Sequence, residues 1–421
     1  MYDELTGLPG MTMLINEMGK LIDRSSPSTK FAVAYLDIDN FRYINQTSSH
    51  KVGNELLKYI SHNLEADMDD FYMAARITGD KFAILFTDIQ STAELLEPIT
   101  NIKNNVCNLW SAYDYDFYVS FSMGISIYPD NGRDIVSLLQ NAKIAMSIAK
   151  KQGKDILFFK EDIQKEFISR VQMVNELQKG IDEQNFTLYY QPVFSLNTNK
   201  IIGVESLVRW IHPKKGMISP ALFIPVAEES KQIYSLEKWI INQALQQKKH
   251  WESEGFYQIE LSINISSKTL ESDFYFNEIE QILISYEVDF SKIILEITET
   301  AFLYNIDIAA ERINRLKKLG IKIALDDFGT GYSSLSHLKE LPIDIIKIDR
   351  SFVNSIQHCE KDKIIIKNIL SVAHDLQCKV IAEGIETEHQ LDILKQYSCD
   401  LGQGFLFYKP LSEEKVKKLF D

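Results

Sequence analysis

Between Ile321 and Arg350 the chain reads IKIALDDFGTGYSSLSHLKELPIDIIKIDR, and this stretch limits the possible folds more than any other. The apolar run Ile321–Leu325 predicts a buried strand that stops on two adjacent carboxylates, Asp326 and Asp327. A Gly-rich loop follows, Phe328-Gly329-Thr330-Gly331-Tyr332-Ser333-Ser334, and then an amphipathic stretch through Leu338. A second apolar run, Ile343–Ile348, carries Lys347 near its end and finishes on Asp349. Strand, loop, helix, strand is a βαβ unit, and parallel sheets gather ligands at the carboxyl ends of their strands. Adjacent acids there repel each other unless a cation or a shared proton relieves them. A single Asp at a strand end is commonly only the N-cap of the next helix. A second acid beside it, and a lysine at the end of the next strand, weigh against that reading here.

The same pattern recurs from Thr187 onward. Leu188-Tyr189-Tyr190 leads to Gln191, and Ile201-Ile202-Gly203-Val204 leads to Glu205, with Arg209 beyond it. Ile259–Ile263 leads to Asn264, and Ile293-Ile294-Leu295 to Glu296 and Glu299. Val380-Ile381-Ala382 leads to Glu383 and Glu386, and Gln403 precedes the last short run. Roughly eight strands with helices between them, in about 240 residues, is the size of a (β/α)8 TIM-like barrel, whose site is the C-terminal rim. Taken alone, each acid reads as a cap or a surface charge. Barrel closure would crowd Glu205, Asn264, Glu296, Asp326, Asp327 and Glu383 at one mouth. Carboxylates plus an amide oxygen form a hard donor set that suits Mg2+ or Mn2+ rather than zinc. Asp326, with donors on both sides, is the natural bridge between two ions, and paired ions can drive a phosphoryl displacement.

Composition narrows the class. A chain of 421 residues is too long for one ordinary domain. A formal net charge of −14 argues against a nucleic-acid polymer as partner, because phosphate-backbone affinity needs clustered Lys and Arg. A small anionic substrate fits only if divalent cations offset the acids. Cys107, Cys359, Cys378 and Cys399 lack CxxC spacing and read as buried thiols. No apolar run approaches the length that spans a bilayer, and no signal peptide is evident, so cytoplasmic residence is expected. The abrupt start at MYDELTGLPG suggests the cytoplasmic part of a larger sensor.

The first 160 residues alternate β and α signals, which predicts an α/β or α+β domain. Phe31–Ile38 reads as a strand ending at Asp37 and Asp39, and helical character surrounds Asn54–Ile60. Apolar Phe71–Ala75, a turn at Thr78-Gly79-Asp80 and a strand Phe82–Phe86 follow. Phe117–Ile127 alternates like one strand, and Ile135–Lys150 has helical periodicity. Between the halves, Glu161–Gln184 places Ile163, Phe167, Val171, Val174 and Leu177 at near-helical spacing, which predicts a helical linker over 161–180. The second domain then covers 181–421.

The first domain resembles the GGDEF family, the diguanylate cyclases, whose fold is nucleotidyl-cyclase-like. The resemblance rests on Asp3-Glu4-Leu5-Thr6-Gly7-Leu8-Pro9, Leu36-Asp37-Ile38-Asp39-Asn40-Phe41, Asn45, Ala149-Lys150 and Gly153. Where the family has Gly-Gly-Asp/Glu-Glu-Phe, this chain has Thr78-Gly79-Asp80-Lys81-Phe82. Thr78 blocks close backbone approach to a triphosphate, and Lys81 exchanges a metal ligand for a competing cation. Asn54 stands where the family has a guanine-recognising Asp, and Asp69 and Tyr72 stand where its inhibitory product site would be. The domain is therefore expected not to make cyclic di-GMP. Asp37, Asn45 and Asp80 survive, which leaves two readings open: a vestigial GTP site with a regulatory role, or a scaffold.

The second domain resembles the EAL family of cyclic di-GMP phosphodiesterases from Arg170 to the C-terminus. Tyr190-Gln191-Pro192, Glu205-Ser206-Leu207-Val208-Arg209-Trp210, Asn264-Ile265-Ser266 and Glu296-Ile297-Thr298-Glu299 carry the match. Asp326 to Leu335, Lys347-Ile348-Asp349, Glu383-Gly384-Ile385-Glu386 and Gln403 to Phe407 extend it. The naming triplet reads Glu-Ser-Leu rather than Glu-Ala-Leu, with the ligand Glu kept. The resemblance implies that Glu205, Asn264, Glu296 and Asp326 hold one metal and that Asp326, Asp327 and Glu383 hold the other. Water between the metals would be the nucleophile, with Lys347, Glu383 and Asp349 in catalytic roles. Gln191, Arg209, Glu386 and Gln403 would contact the dinucleotide. Phe328, Gly329, Thr330 and Gly331, anchored by Glu299, would couple the site to a homodimer interface. The implied activity is hydrolysis of cyclic di-GMP to linear pGpG with two Mg2+ or Mn2+ ions. The alternatives are a receptor that binds cyclic di-GMP uncut and signals through the helix, and a bifunctional enzyme, which Thr78 and Lys81 disfavour.

Overall fold

Strand pairing gives a five-stranded sheet, a nine-stranded sheet and a two-stranded ribbon, and the chain splits into two units, Met1–Gln172 and Met173–Asp421. The computed structural model describes residues 2–26, 29–66, 72–113, 115–302, 306–329 and 341–420. Asp69, Thr330, Gly331 and the rest of the loop and amphipathic stretch that follow lie outside the described residues.

The first unit holds β1 (Phe31–Ile38), β2 (Tyr72–Thr78), β3 (Lys81–Phe86), β4 (Leu109–Ala112), β5 (Tyr115–Tyr118), β6 (Phe121–Tyr128) and β7 (Ile156–Phe158). Five of them form a sheet in the order β2-β3-β1-β6-β7, while β4 and β5 pair as a separate ribbon. The expected single strand over Phe117–Ile127 is thus two. β5 belongs to the exposed ribbon, whereas β6 lies between β1 and β7 with nearly every residue buried, so its apolar run covers both faces rather than alternating. The helix Ile135–Lys151 packs across β6 at Gly124, where a Cβ would lie 2.0 Å from the Met146 nitrogen and 2.1 Å from the Ala142 oxygen. Glycine is required there because helix backbone occupies the place of a side chain.

A helix spans Glu161–Asp182. In the second unit follow β8 (Phe186–Ser195), β9 (Ile201–His212), β10 (Gly216–Ile218), β11 (Glu260–Ile265), β12 (Ile293–Thr298), β13 (Lys322–Phe328), β14 (Ile345–Ile348), β15 (Lys379–Ala382) and β16 (Leu401–Gly402). β9 and β11 to β16 pair in sequence, β8 bonds to both β16 and β9, and the ring of eight closes as a barrel, with β10 a short addition beside β9. β8 runs antiparallel to both neighbours. Gln191 is therefore in mid-strand rather than at a carboxyl end, and the reversed direction still brings it opposite Glu205.

The strand period of two explains where the polar groups go. Ile294, Ala324, Ile345, Ile381 and Leu401 form an apolar cluster with Val193, separate from the larger core beneath the helices. Two residues further along each strand direction come Glu296, Asp326, Lys347, Glu383 and Gln403. On the reversed β8 the partner of Val193 is two residues earlier, at Gln191. An apolar layer thus plugs the barrel and a polar layer sits on top of it, as barrel interiors are built. Cys378 and Cys399 are buried, Cys107 and Cys359 half-buried, and all four are free thiols. No described helix is long and apolar enough to cross a membrane.

Candidate active site

Lys347 is the centre of that polar layer. Its side chain is fully enclosed, 1% exposed, and its Nζ lies 2.5 Å from Glu296 Oε2, 2.7 Å from Glu383 Oε1, 3.1 Å from Asp326 Oδ1 and 3.6 Å from Glu205 Oε2. Burial pulls the ammonium toward neutrality, but the surrounding carboxylates outweigh it and raise the lysine well above its usual value. One positive charge cannot balance four acids. Burial and the neighbouring charge of Glu205 push Glu296 well up, and burial with the charges of Asp326 and Glu205 lifts Glu383 to about 8 despite Lys347. Glu205 goes the other way: burial pushes it up, but Lys347 and the bonds from Gln403 and Asn264 outweigh burial. The cluster is short of cationic charge.

Asp327 joins through a backbone irregularity. Consecutive strand residues ordinarily point to opposite faces. Here the β13–β14 register slips between Leu325 and Phe328, and Asp327 adopts φ +55°, a left-handed conformation that Asp tolerates better than most residues. As a result oxygens of Asp326, Asp327 and Glu383 all lie within 4.8 Å of one another. Burial and the charge of Asp326 raise the Asp327 carboxyl. Asn264 donates from Nδ2 to Glu205 Oε1 at 2.9 Å, which leaves its amide oxygen as a donor atom for a cation. An all-oxygen set of this density and charge fits hard divalent ions.

Gln403 sits against the same acids. Its Nε2 donates to Glu205 Oε2 at 2.7 Å and to Glu383 Oε1 at 3.2 Å, while its Oε1 is buried with no hydrogen-bond partner. Gln191 donates to the Tyr408 carbonyl at 3.2 Å. Arg209 is half-buried, lies over the Tyr189 ring at 5.7 Å and lines a cavity of about 240 Å³ with Asn264. Burial pulls the guanidinium down and Glu205 partly restores it. Glu386 is exposed just past β15, and Glu299 Oε2 accepts from the Gly329 nitrogen at 3.3 Å. Asp349 accepts from the Ser351 nitrogen at 3.0 Å as the N-cap of the helix Arg350–Ser355.

In the first unit the surviving acids meet lysines. β1 and β3 pair Asp37 directly with Lys81, and Lys81 Nζ lies 2.8 Å from Asp37 Oδ2 and 3.1 Å from Asp80 Oδ1. Lys150 also bonds Asp37. Burial pushes the Asp37 carboxyl up, but the bonds from Lys150 and Lys81 outweigh it and hold it low. These residues do not fit a divalent ion, because two ammonium groups already offset the two acids, unlike the single lysine among four carboxylates in the barrel. Asn45 stands apart from them: its Oδ1 is buried without a hydrogen-bond partner and points at Gly53, where a Cβ would lie 2.1 Å away.

Sequence reasoning missed the acids behind Asn264. Glu237 and Glu228 hold Ser266, two residues past Asn264. Glu237 had a legible signal: it interrupts the buried stripe Ile233, Ile240, Ile241 and Ala244 of the helix Ile233–Ser253.

A closed barrel whose rim converges acids, an amide oxygen and a lysine is, on a TIM-like scaffold, a site able to hold divalent cations. Residues 174–410 match the EAL domain and residues 1–155 match the diguanylate cyclase, GGDEF domain. The chain belongs to the EAL family and carries the tandem GGDEF-EAL arrangement. It is 30% identical over 418 residues to the bifunctional diguanylate cyclase/cyclic di-GMP phosphodiesterase MucR of Pseudomonas aeruginosa, covering 99% of this chain and 61% of that protein. It is 32% identical over 412 residues to the cyclic di-GMP phosphodiesterase NbdA of the same organism, covering 97% of this chain and 52% of the relative. The chain thus spans half to about six-tenths of these relatives' length. A solved structure described as the PaMucR phosphodiesterase in complex with c-di-GMP superposes with a TM-score of 0.56 at 33% identity, covering 58% of this chain and 99% of that one.

Proposed function

We propose that the second unit hydrolyses one phosphodiester bond of cyclic di-GMP, giving linear pGpG, with Mg2+ or Mn2+. The observation that carries this reading is the buried ammonium of Lys347 held within 3.6 Å of four carboxylates, two of them pushed above their ordinary range. Such a cluster is unsatisfied by its own chain and calls for further cations. The phosphodiesterase names of NbdA and of the superposed structure support the substrate class.

Glu205, Asn264, Glu296 and Asp326 would hold one ion, and Asp326, Asp327 and Glu383 the other. Bound there, two divalent ions supply a water nucleophile at neutral pH and a positive field for the phosphoryl oxygens. The side chains do the rest. Lys347 keeps its charge and holds the carboxylates at fixed separations. In its ionised form Glu383, beside the place of the attacking water, can accept that water's proton. The new bond joins water oxygen to phosphorus, one P–O ester bond breaks, and the proton passes to the departing sugar oxygen. Gln191, Arg209, Glu386 and Gln403 serve the dinucleotide. Phe328 and Gly329, tied to Glu299, lead toward a homodimer interface.

The first unit acts as a regulator or scaffold for the second and does not cyclise GTP. The unpartnered Asn45 oxygen supports a residual nucleotide contact, whereas the lysine-bridged acids argue against a metal-bound triphosphate. Incubation with labelled cyclic di-GMP and Mg2+ tests the main reading: pGpG should accumulate, and ligand retained uncut over hours would instead make the barrel a receptor. A GTP titration of the hydrolysis rate separates regulator from scaffold, since a scaffold gives a flat response.

A further inference from the structure

Asn264 lies one residue before the end of β11, where a strand normally loosens, yet its carboxamide must face the acids squarely. Ser266 is the first residue past the strand, and three bonds seize it. Its nitrogen donates to Glu237 Oε1, its hydroxyl donates to Glu228 Oε1 at 2.7 Å, and that hydroxyl oxygen accepts from the Lys268 nitrogen at 3.2 Å. The other oxygen of Glu237 accepts from the Thr269 hydroxyl. The two acids come from different helices, Pro220–Glu229 and Ile233–Ser253. Glu237 is 3% exposed and has no ammonium or guanidinium partner among the described residues. Placing a carboxyl in such surroundings is unfavourable unless it is well hydrogen-bonded. Burial and the charge of Glu228 push it up to about 8, against the pull of its two hydrogen bonds. A leucine would pack on that apolar stripe without this penalty, so retaining a carboxyl suggests a task for both of its oxygens.

We propose that Glu237, assisted by Glu228, is a positioning residue that pins Ser266 and thereby fixes the Asn264 carboxamide in the metal-binding set. The inference rests on the ligand role given to Asn264 above. Glu237 acts through the backbone: with Ser266 held, Ile265 and Asn264 cannot rotate, and Asn264 keeps Nδ2 on Glu205 and its oxygen free for a cation. A glutamine preserves both contacts, its oxygen accepting from Ser266 and its nitrogen donating to the Thr269 hydroxyl.

The test uses the whole chain and Mn2+ alone as probe, with free Mn2+ read by electron paramagnetic resonance, which needs no turnover. Glu237→Leu should weaken Mn2+ binding at least tenfold, and Glu237→Gln should stay within threefold of the native chain. In an Asn264→Ala background, Glu237→Leu should change Mn2+ binding less than twofold. Unchanged Mn2+ affinity in Glu237→Leu, or a full effect that persists without Asn264, would overturn the proposal. If Glu237→Leu does not fold, Ser266→Ala takes its place. It removes the hydroxyl's bonds to Glu228 and to the Lys268 nitrogen while leaving the Ser266 nitrogen on Glu237; it should weaken Mn2+ about threefold, and an unaltered affinity counts against the proposal. Native chain that binds Mn2+ in this pattern but leaves cyclic di-GMP uncut would sink the hydrolase reading and leave the positioning role standing.

Discussion

Replacing Lys347 by methionine keeps the length of the side chain and deletes its charge. In the metal-free protein this leaves Glu205, Glu296, Asp326 and Glu383 facing one another with no ammonium between them. At about 3 Å and an effective dielectric near 20, each contact is worth roughly 5 kcal/mol before desolvation. Protonation of the carboxyls recovers much of that, so the net loss should be the roughly 3–5 kcal/mol typical of breaking a buried pair. For a unit of this size that lowers the melting temperature by about 10 °C in EDTA. Divalent ions replace the missing charge. The variant should therefore gain more stability from Mn2+ than the native chain does, above the ~2.7 kcal/mol expected at a hundredfold excess over the dissociation constant. Hydrolysis should meanwhile fall on the order of a hundredfold or more, because the carboxylates lose the separations the ammonium imposes and misplacing reacting groups by about 1 Å costs that much. Differential scanning calorimetry with EDTA and with Mn2+, on both proteins, decides the matter. A loss under about 1 kcal/mol in EDTA, or equal stabilisation of both proteins by Mn2+, would refute the account of Lys347 as a resident counter-cation.

Three further outcomes follow from the geometry. Glu205→Ala removes a carboxylate and strands the donors of Asn264 and Gln403, so hydrolysis of cyclic di-GMP should drop about a thousandfold, checked by steady-state rates at saturating Mn2+. Asp37 is held low in the folded state, so its contribution is present above pH 3.8 and is lost as pH falls through its folded value; Lys81→Met should move the acid unfolding of the first unit to higher pH, seen by circular dichroism. Gly124→Ala drives a methyl group into helix backbone and should destabilise the first unit by about 3 kcal/mol, measured by urea unfolding.

The positions of the site acids were legible because a strand's alternation is local. An apolar residue followed two places later by a polar one, as in Ile294 and Glu296 or Ile345 and Lys347, is written in the sequence. Lys81, standing where the resembled family has an acid, is likewise read directly from the chain. Four features depended on the assembled chain. The reversal of β8 puts Gln191 opposite Glu205, the β13 bulge turns Asp327 onto the same site as Asp326, barrel closure gathers the acids around Lys347, and two helices bring Glu228 and Glu237 to Ser266. Each depends on contacts between residues far apart in the chain, whose geometry no local period encodes. Which groups face inward along each strand follows from local alternation. How near those groups stand is a property of the folded barrel, and charge interactions vary steeply with distance and burial.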